Sequence, residues 1–432
     1  MMDGNELISR MIKLRDAGSS KDIPQLSYAL FPGMHCPLFG ATMSIRGIKD
    51  AVMLVVGTDE CSYYSKHFSI RSDAFGGLGG RCVSAVLDTR DITFGCKNML
   101  DEAVEELVSE YRPRAVFIVT TCVVEVIGDD TDSMAEAYTK KYGLPFISVH
   151  TEHFKCENHM PGVERTMTSC FTLMKKRPVK DTCNVIGQRM GIFDMSELAK
   201  LLREQGVGVT MQLPSKCCVE DIENAAEAKV NILVDPTGLP LALKMKEEFN
   251  TPYVEFYRMA DPDDILNCYK ELFSYLEKPL PEKVTELYEK ALLSKENAKE
   301  ELKGVTYIYG NTVFYNFELN AFLTSLGMEP LIIQSVAVDR EKDKKYLDKI
   351  LSKSDPYVVK PANIAPLQFV YDVMHPYLYM GHESAVNLAK KNIALVRSDQ
   401  ASLKLGFELT EFMTGELKRA ASLARKYRNE VQ

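Results

Sequence analysis

Short apolar runs alternate with amphipathic stretches along most of the chain, and each run has the length of a buried strand. AVMLVVG (51–57) is the first. In NMLDEAVEELVSEY (98–111) helical periodicity puts Leu100, Val104, Leu107 and Val108 on one face. The β-branched RAVFIVTT (114–121) then reads as a strand buried on both faces. DDTDSMAEAYTKKYG (129–143) offers an acidic N-cap region, a helix and a glycine stop, and LPFISVH (144–150) is the next strand. Strand, turn and helix in this order predict a parallel, doubly wound unit.

The basic, unpatterned KKRPVKDTC (175–183) reads as a linker into a second unit. There the pattern gives strand CNVIG (183–187), helix 195–206, strands 207–213 and 229–235, helix 239–250 and strand 252–256. A long helical pattern from Pro281 to about Lys303 leads into a third unit with strand GVTYIYG (304–310), helix 314–327, strand EPLIIQS (329–335) and strand NIALV (392–396). At 432 residues the chain exceeds what one core usually serves. The expected fold is therefore α/β, with three Rossmann-like domains built on parallel sheets. The boundaries fall at 1–178, 179–280 and 281–432, the last including the helical connection. MMDGNELISRMIKLRDAG (1–18) reads as an amphipathic helix of mixed charge, and DREKDKKYLDK (339–349) as a solvated helix face.

The formal net charge of −8 argues against nonspecific nucleic-acid binding, which needs a basic footprint. No apolar run approaches the roughly 20 residues that span a bilayer, and the N-terminus carries no signal-peptide core. The sequence thus predicts a cytoplasmic protein without a membrane partner.

Eleven cysteines, an odd number, lie scattered without a CxxC pair or the dense spacing of a disulfide scaffold. Cys82, Cys156, Cys170, Cys183 and Cys268 read as small buried hydrophobes. Cys36 in HCPLFGA, Cys61 in VVGTDECSYY and Cys122 in VTTCVVEVIGDD each stand where a strand or approach loop hands over to a helix. An α/β sheet gathers its functional loops at such places. Three thiolates on three separate loops suit an iron–sulfur cluster better than a zinc knuckle. The glycine-rich FGGLGGRC (75–82) lacks the strand and acidic residue of a dinucleotide site and reads as an approach loop packing on a bulky cofactor. No Walker A sequence is present, so ATP hydrolysis is not expected of this chain.

Five passages, CPLFGATMSIRGIKDAVMLVVGTDECSYY (36–64), DITFGCKNMLDEAV (91–104), TTCVVEVIGDD (120–130), CNVIG with its following helix, and YMGHESAVNLAKK (379–391), resemble the component-1 family of nitrogenase and nitrogenase-like enzymes. That family includes the molybdenum–iron protein subunits, the scaffold that matures its cofactor, and the catalytic component of dark-operative protochlorophyllide reductase. The resemblance implies that Cys36, Cys61 and Cys122 are this subunit's ligands to a [4Fe-4S] or [8Fe-7S] cluster at a subunit interface. A homologous partner subunit, in a homodimer or an α2β2 assembly, would complete the coordination. A separate ATP-dependent iron protein would supply the electrons. Cys96 departs from the family, which usually has glycine in that turn, and reads either as an extra ligand or as a small buried residue.

In that family the nitrogenase α subunits also hold an active-site cofactor, a second metallocofactor, through one cysteine and one histidine. Where the cysteine belongs, after KVNILVD, this chain has Asp235-Pro236, and proline is no ligand. Cys217-Cys218 lie one loop earlier, and at most one of them can serve instead. His375 lies near the family's histidine segment, with His382 seven residues on. These two are the candidate catalytic residues, as contacts to a cluster or substrate or as proton donors, against the plain reading of satisfied histidines at a helix start. Pro376 and Gly381 mark a loop entering the helix of ESAVNLAKK, whose N-terminal N–H groups suit an anionic ligand. Glu125, Asp129 and Asp130 read as helix caps, with docking of the iron protein as the alternative. Taken together, the sequence predicts a nitrogenase-like oxidoreductase subunit that relays electrons through its interface cluster. The alternatives are a metallocluster-assembly scaffold and a β-type partner subunit without an active site of its own.

Overall fold

The computed structural model describes residues 3–26, 35–70, 80–156, 158–189, 193–310, 312, 316–361 and 364–429. The chain opens with α1 (Gly4–Ser9) and the short β1 (Ile12–Lys13). The first unit runs through α2 (Pro37–Ile45), β2 (Ala51–Gly57), α3 (Asp59–Ile70), β3 (Cys82–Val86), α4 (Thr89–Phe94), α5 (Lys97–Tyr111), β4 (Ala115–Thr120), α6 (Cys122–Ile127), α7 (Thr131–Tyr142), β5 (Phe146–Val149) and α8 (Met160–Ser169). The second comprises β6 (Lys180–Gln188), α9 (Glu197–Glu204), β7 (Gly208–Pro214), α10 (Val219–Glu223), β8 (Ala228–Leu233), α11 (Leu239–Phe249), β9 (Tyr253–Glu255) and α12 (Pro262–Tyr275). The third comprises α13 (Glu282–Leu302), β10 (Thr306–Tyr309), α14 (Asn316–Ser325), β11 (Glu329–Gln334), α15 (Lys344–Leu351), β12 (Tyr357–Val359), α16 (Ile364–Met374), β13 (Leu378–Met380), α17 (Ala385–Ala389), β14 (Ala394–Val396) and α18 (Phe407–Asn429).

Among the described residues these strands form three sheets, ordered β3-β2-β4-β5, β7-β6-β8-β9 and β1-β12-β11-β10-β13-β14. Every pairing is parallel except that of β1 with β12. In each sheet the chain leaves a central strand first to one side and later returns to the other. This creates a switch point between β2 and β4, between β6 and β8, and between β10 and β13.

Helices cover both faces of the first sheet, which explains why β2 and β4 are apolar at nearly every position. Val52, Leu54 and Val56 pack with Leu100, Val104 and Leu107 of α5 on one face. Met53 and Val55 join Ile186, Leu213, Leu233 and Leu241 of the second unit on the other. The first two units therefore share a core. Glu197, opening α9, accepts from the backbone N–H groups of Phe407 (2.8 Å) and Glu408 (3.0 Å) and so anchors α18 on the second unit.

Two expectations are corrected. The amphipathic helix over residues 1–18 stops at Ser9, and residues 3–26 pack with the third unit rather than the first. The cause is the edge of β12, whose unpaired backbone groups take β1 as an antiparallel strand while Leu7 is buried beside Val370 and Tyr371 of α16. The linker KKRPVKDTC is structured from Lys180 onward as the start of β6. Residues 75–79 of FGGLGGRC lie outside the described residues.

Candidate functional site

The first unit's switch point gathers the three cysteines. Cys36 is the N-cap of α2, with Pro37 locking the first helical φ. Cys61 stands in the first turn of α3, directly after β2, and Cys122 opens α6, directly after β4. All three are half-buried free thiols. Burial pushes the Cys61 thiol above its ordinary range against a hydrogen bond from Thr58, and the charges of Cys122 and Cys36 push it further. The helices that carry the three residues pack closely at this point, α2 against α3 and α6 against β2. The backbone N–H of His153 donates to Cys122 Sγ at 3.2 Å. Tyr64 Oη lies 2.6 Å from His35 Nδ1, and the Tyr64 phenol is held protonated by burial and by the charge of Cys36.

Among the described residues no three His, Cys, Asp or Glu side chains close around a single metal ion. A polynuclear cluster needs its thiolates spread around a larger body. Three soft ligands on three loops, with an N–H and a hydroxyl donor at the sulfurs, fit that requirement. Large apolar side chains stand exposed beside these residues: Tyr63 (71%), Val126 (71%), Phe154 (56%) and, on α4, which packs on α6, Phe94 (82%). An apolar rim of this kind marks an interaction surface.

The acidic residues after Cys122 have structural work. Asp130 caps α7 through the N–H of Ser133 (3.0 Å). Asp129 accepts from the N–H of Cys96 (2.9 Å). Glu125 accepts from Thr120 and lies 2.7 Å from His150 Nδ1. Cys96 itself is fully buried, and burial with the neighbouring Asp129 carboxylate pushes its thiol up to about 12.

A second polar group, which the sequence pattern did not reveal, lies at the switch point of the second unit. Asp235, following β8, is 6% exposed. It accepts from the N–H (3.0 Å) and hydroxyl (2.6 Å) of Thr237 and pairs with Arg189, which follows β6, at 3.2 Å. Burial alone would raise this carboxyl, but Arg189, Thr237 and Arg258 hold it below its ordinary value. Arg258, beyond β9, is 7% exposed and reaches Val234 O at 3.3 Å and Gln188 Oε1 at 3.4 Å. His159 and Met160 of the first unit face this group. Arg189 donates to Met160 Sδ (3.3 Å), and burial, with Arg189 and His35 nearby, pushes His159 down to about 4. The His159 ring sits edge-on to His35, 6.4 Å between centroids, so a row of side chains joins the second polar group to the cysteine loops.

The two candidate histidines are not brought together. His375 precedes β13, is exposed, adopts φ 47° and gives its carbonyl oxygen to Arg428 (2.7 Å). His382 follows β13, at the opposite, carboxyl edge of the sheet. The helix after it, α17, has five residues, too few for an N-terminal anion site. Cys217 is buried against Gly47 and Lys49 of the first unit, and Cys218 serves as the N-cap of α10.

The model of the family described as nitrogenase component 1 type oxidoreductase matches residues 36–405. The cofactor biosynthesis protein NifE of Rippkaea orientalis is 27% identical over 84% of this chain and 79% of its own length. That of Clostridium pasteurianum is 28% identical over 74% and 71%. A molybdenum–iron protein alpha chain of Methanosarcina barkeri is 26% identical over 68% of this chain and 58% of its own. A structure titled Nitrogenase Cp1 at pH 6.5 superimposes with a TM-score of 0.75 over 95% of this chain and 96% of its own at 15% identity, which establishes the fold. No helix among the described residues is long and apolar enough to cross a membrane.

Proposed function

The chain belongs to the nitrogenase component 1 type oxidoreductases, and from that membership we propose that it is a subunit holding an iron–sulfur cluster on Cys36, Cys61 and Cys122. The observation that carries this reading is the placement of the three residues: Cys61 lies in the helix that follows β2, Cys122 opens the helix that follows β4, and Cys36 caps α2, which packs against α3 and β4. The bound group supplies one-electron chemistry at low potential. The protein's own part is to present the thiolates, with His153 N–H and the Thr58 hydroxyl favouring their charged form. A homologous subunit docking on the rim of Tyr63, Phe94, Val126 and Phe154 would complete the coordination and tie cluster binding to assembly.

For what the cluster serves, cofactor biosynthesis is the leading reading: the subunit receives, holds and passes on a metallocluster, which is then its cargo. The names of the relatives at 27–28% identity support it. A specific observation favours a second reading, reduction of a small substrate with electrons from an ATP-dependent iron protein. The position after β8 offers an ion-paired carboxylate and a proline instead of a thiolate. Charged groups at this place suit a polar organic molecule better than a metallocluster.

Anaerobic purification, iron and sulfide counts and EPR on wild type and Cys122→Ala test the common part. A reducible signal that collapses in the variant is expected, and wild-type protein without iron even when a homologous partner is co-expressed would refute it. Transfer of the cluster to an apo-acceptor then identifies the scaffold, and multiple turnover with an iron protein identifies the reductase.

A further inference from the structure

Beside the edge strand β9 a cleft of about 410 Å³ opens between the second and third units. Its walls come from α11, β9 and α12 on one side and from α15, through Lys345 and Tyr346, on the other. A volume of this order holds a small molecule. None of the lining residues belongs to the first unit, which carries the three cysteines. The cleft therefore lies beyond the cluster reading and is independent of it.

We infer that this cleft binds a small organic cation, an aliphatic diamine or polyamine. Three carboxylates, Glu255, Asp264 and Glu271, line it against two ammonium groups, Lys246 and Lys345. Both lysines are already engaged: Lys345 pairs with Asp264, and the Lys246 ammonium stands over the Tyr253 ring at 5.4 Å. Glu255 and Glu271 form no ion pair among the described residues, so the uncommitted charge of the cleft is negative. Asp264 is a separate sign of a ligand. It is 9% exposed, its Oδ1 accepts from Lys345, and its Oδ2 has no hydrogen-bond partner among the described residues. A buried carboxylate oxygen without a donor is unfavourable, and a cation bound close by offsets that cost.

The form of the ligand follows from how the acceptors are placed. Among the described residues no three His, Cys, Asp or Glu side chains close around one metal ion, so the carboxylates do not make a cage for a divalent cation. Glu255 and Glu271 are exposed whereas Asp264 is buried, so acceptors run from the mouth of the cleft to its floor. Amino groups spaced along an aliphatic chain match that distribution. The tyrosines favour the same chemistry, because the face of an aromatic ring attracts an ammonium group. The chain's own lysines use the cleft in this way, Lys246 on Tyr253 and Lys345 on Tyr346, each at 5.4 Å. Between them Cys268 and Met259, their sulfurs 3.9 Å apart, offer an apolar stretch for methylene groups. The Cys268 thiol reports the local field. Burial, then Glu271, Asp264 and Glu255, push it up to about 12, and Lys345 opposes them. A ligand seated here touches α12 and α15 at once and so stabilises the junction of the two units.

The test is calorimetric titration of the full-length, anaerobically purified protein with putrescine, spermidine and Mg²⁺ at one fixed ionic strength, with melting curves in parallel. Glu255→Gln, Glu271→Gln and their combination are compared with Glu106→Gln, an exposed position on α5 that controls for acidic surface in general. Saturable binding of at least one amine is expected, with a Tm that rises with its concentration. Each single variant should weaken binding about threefold or more and the combination about tenfold or more, while Glu106→Gln leaves it unchanged. Lys345→Met, which deprives Asp264 of its internal cation, should tighten binding, a gain that misfolding cannot imitate. Cys122→Ala should bind the amines as wild type does, and the combined glutamate variant should keep its iron, so failure of this site and failure of the cluster reading give different results. The absence of saturable binding by both amines, equal binding in wild type and the combined variant, or displacement of the amine by Mg²⁺ at equal ionic strength overturns the inference.

Discussion

His150 Nδ1 lies 2.7 Å from Glu125 Oε1, and Nε2 of the same ring lies 3.1 Å from Asp132. The imidazole thereby ties the loop after β5 to the first turn of α6, the helix that Cys122 opens. The Glu125 hydrogen bond, opposed by burial and reinforced by Asp132, raises His150 from 6.5 to about 9. A histidine raised on folding contributes stability that is fully present below pH 6.5 and lost as pH rises through 9. With the ring 38% exposed, solvent screening limits the effect to about 1–2 kcal/mol. Thermal melts of wild type and His150→Gln should therefore differ most near pH 6 and converge above pH 9. A constant difference across that range would show that the imidazolium is not the link.

Two glycines decide how closely the Cys36 helix meets α8. A Cβ on Gly162 would stand 1.9 Å from the carbonyl oxygen of Pro37, and one on Gly40 would stand 2.1 Å from that of His159. Backbone therefore packs on backbone at this crossing, and neither side has a flexible group that can yield. Gly162→Ala and Gly40→Ala are each expected to lower stability by roughly 1–3 kcal/mol. Because the displaced neighbour is Pro37, Gly162→Ala should also lose iron under conditions where the wild type retains it. Urea denaturation with parallel iron counts checks both effects, and unchanged iron in a destabilised Gly162→Ala protein would separate the packing from the ligand position.

Sequence patterning is informative where one element carries its own signal. β2 and β4 are apolar at nearly every position because helices cover both faces of their sheet, and a strand with one face in water would alternate instead. β12 and β13 have three residues each and no comparable run, so they emerge only through their neighbours in the sheet. Cys36, Cys61 and Cys122 stand out by residue type at strand-to-helix turns. The group of Arg189, Asp235 and Arg258 does not, because three different strands deliver it; Asp235 is conspicuous only as the residue standing where a cofactor cysteine would belong, and the two arginines look like ordinary surface charges. His375 and His382 show how spacing in sequence differs from spacing in the fold: seven residues apart, they have β13 between them and stand at opposite edges of the sheet. Their proximity in sequence is thus the reason that they are separated in space.

Lys295 and Asp261 form an ion pair at 3.0 Å where α13 crosses the start of α12, with side chains only 10% and 6% exposed. Removing one member of a buried pair leaves the other charge desolvated, a loss of about 3–5 kcal/mol, whereas replacing both with apolar groups is often neutral. Lys295→Met should therefore destabilise strongly by chemical denaturation, and Lys295→Met with Asp261→Leu should recover much of the loss. Asp261→Leu alone reports the cost of losing the Asp261 cap on α12, and a double variant no better than the sum of the two single ones would show that the pair itself contributes nothing.

Glu318, in the first turn of α14, is buried next to that ion pair. Its Oε1 accepts from the N–H of Ala260 at 3.1 Å, while Oε2 has no hydrogen-bond partner among the described residues. Burial pushes this carboxyl from 4.5 up to about 8, against the Ala260 hydrogen bond and with added repulsion from Asp264 and Asp261. The sign is opposite to that of His150. A carboxyl raised on folding gives up its proton in the unfolded chain first, so stability falls as pH rises from about 4.5 and levels off above 8. The slope between those limits is at most about 1.4 kcal/mol per pH unit for one proton. Glu318→Gln keeps the shape and the acceptor for Ala260 but cannot ionise, so the slope should vanish. The variant is expected to match wild type near pH 5 and to exceed it increasingly up to pH 8, measured by urea denaturation at each pH. Parallel stability curves for the two proteins would mean that Glu318 stays ionised in the folded state and that its second oxygen has found a donor.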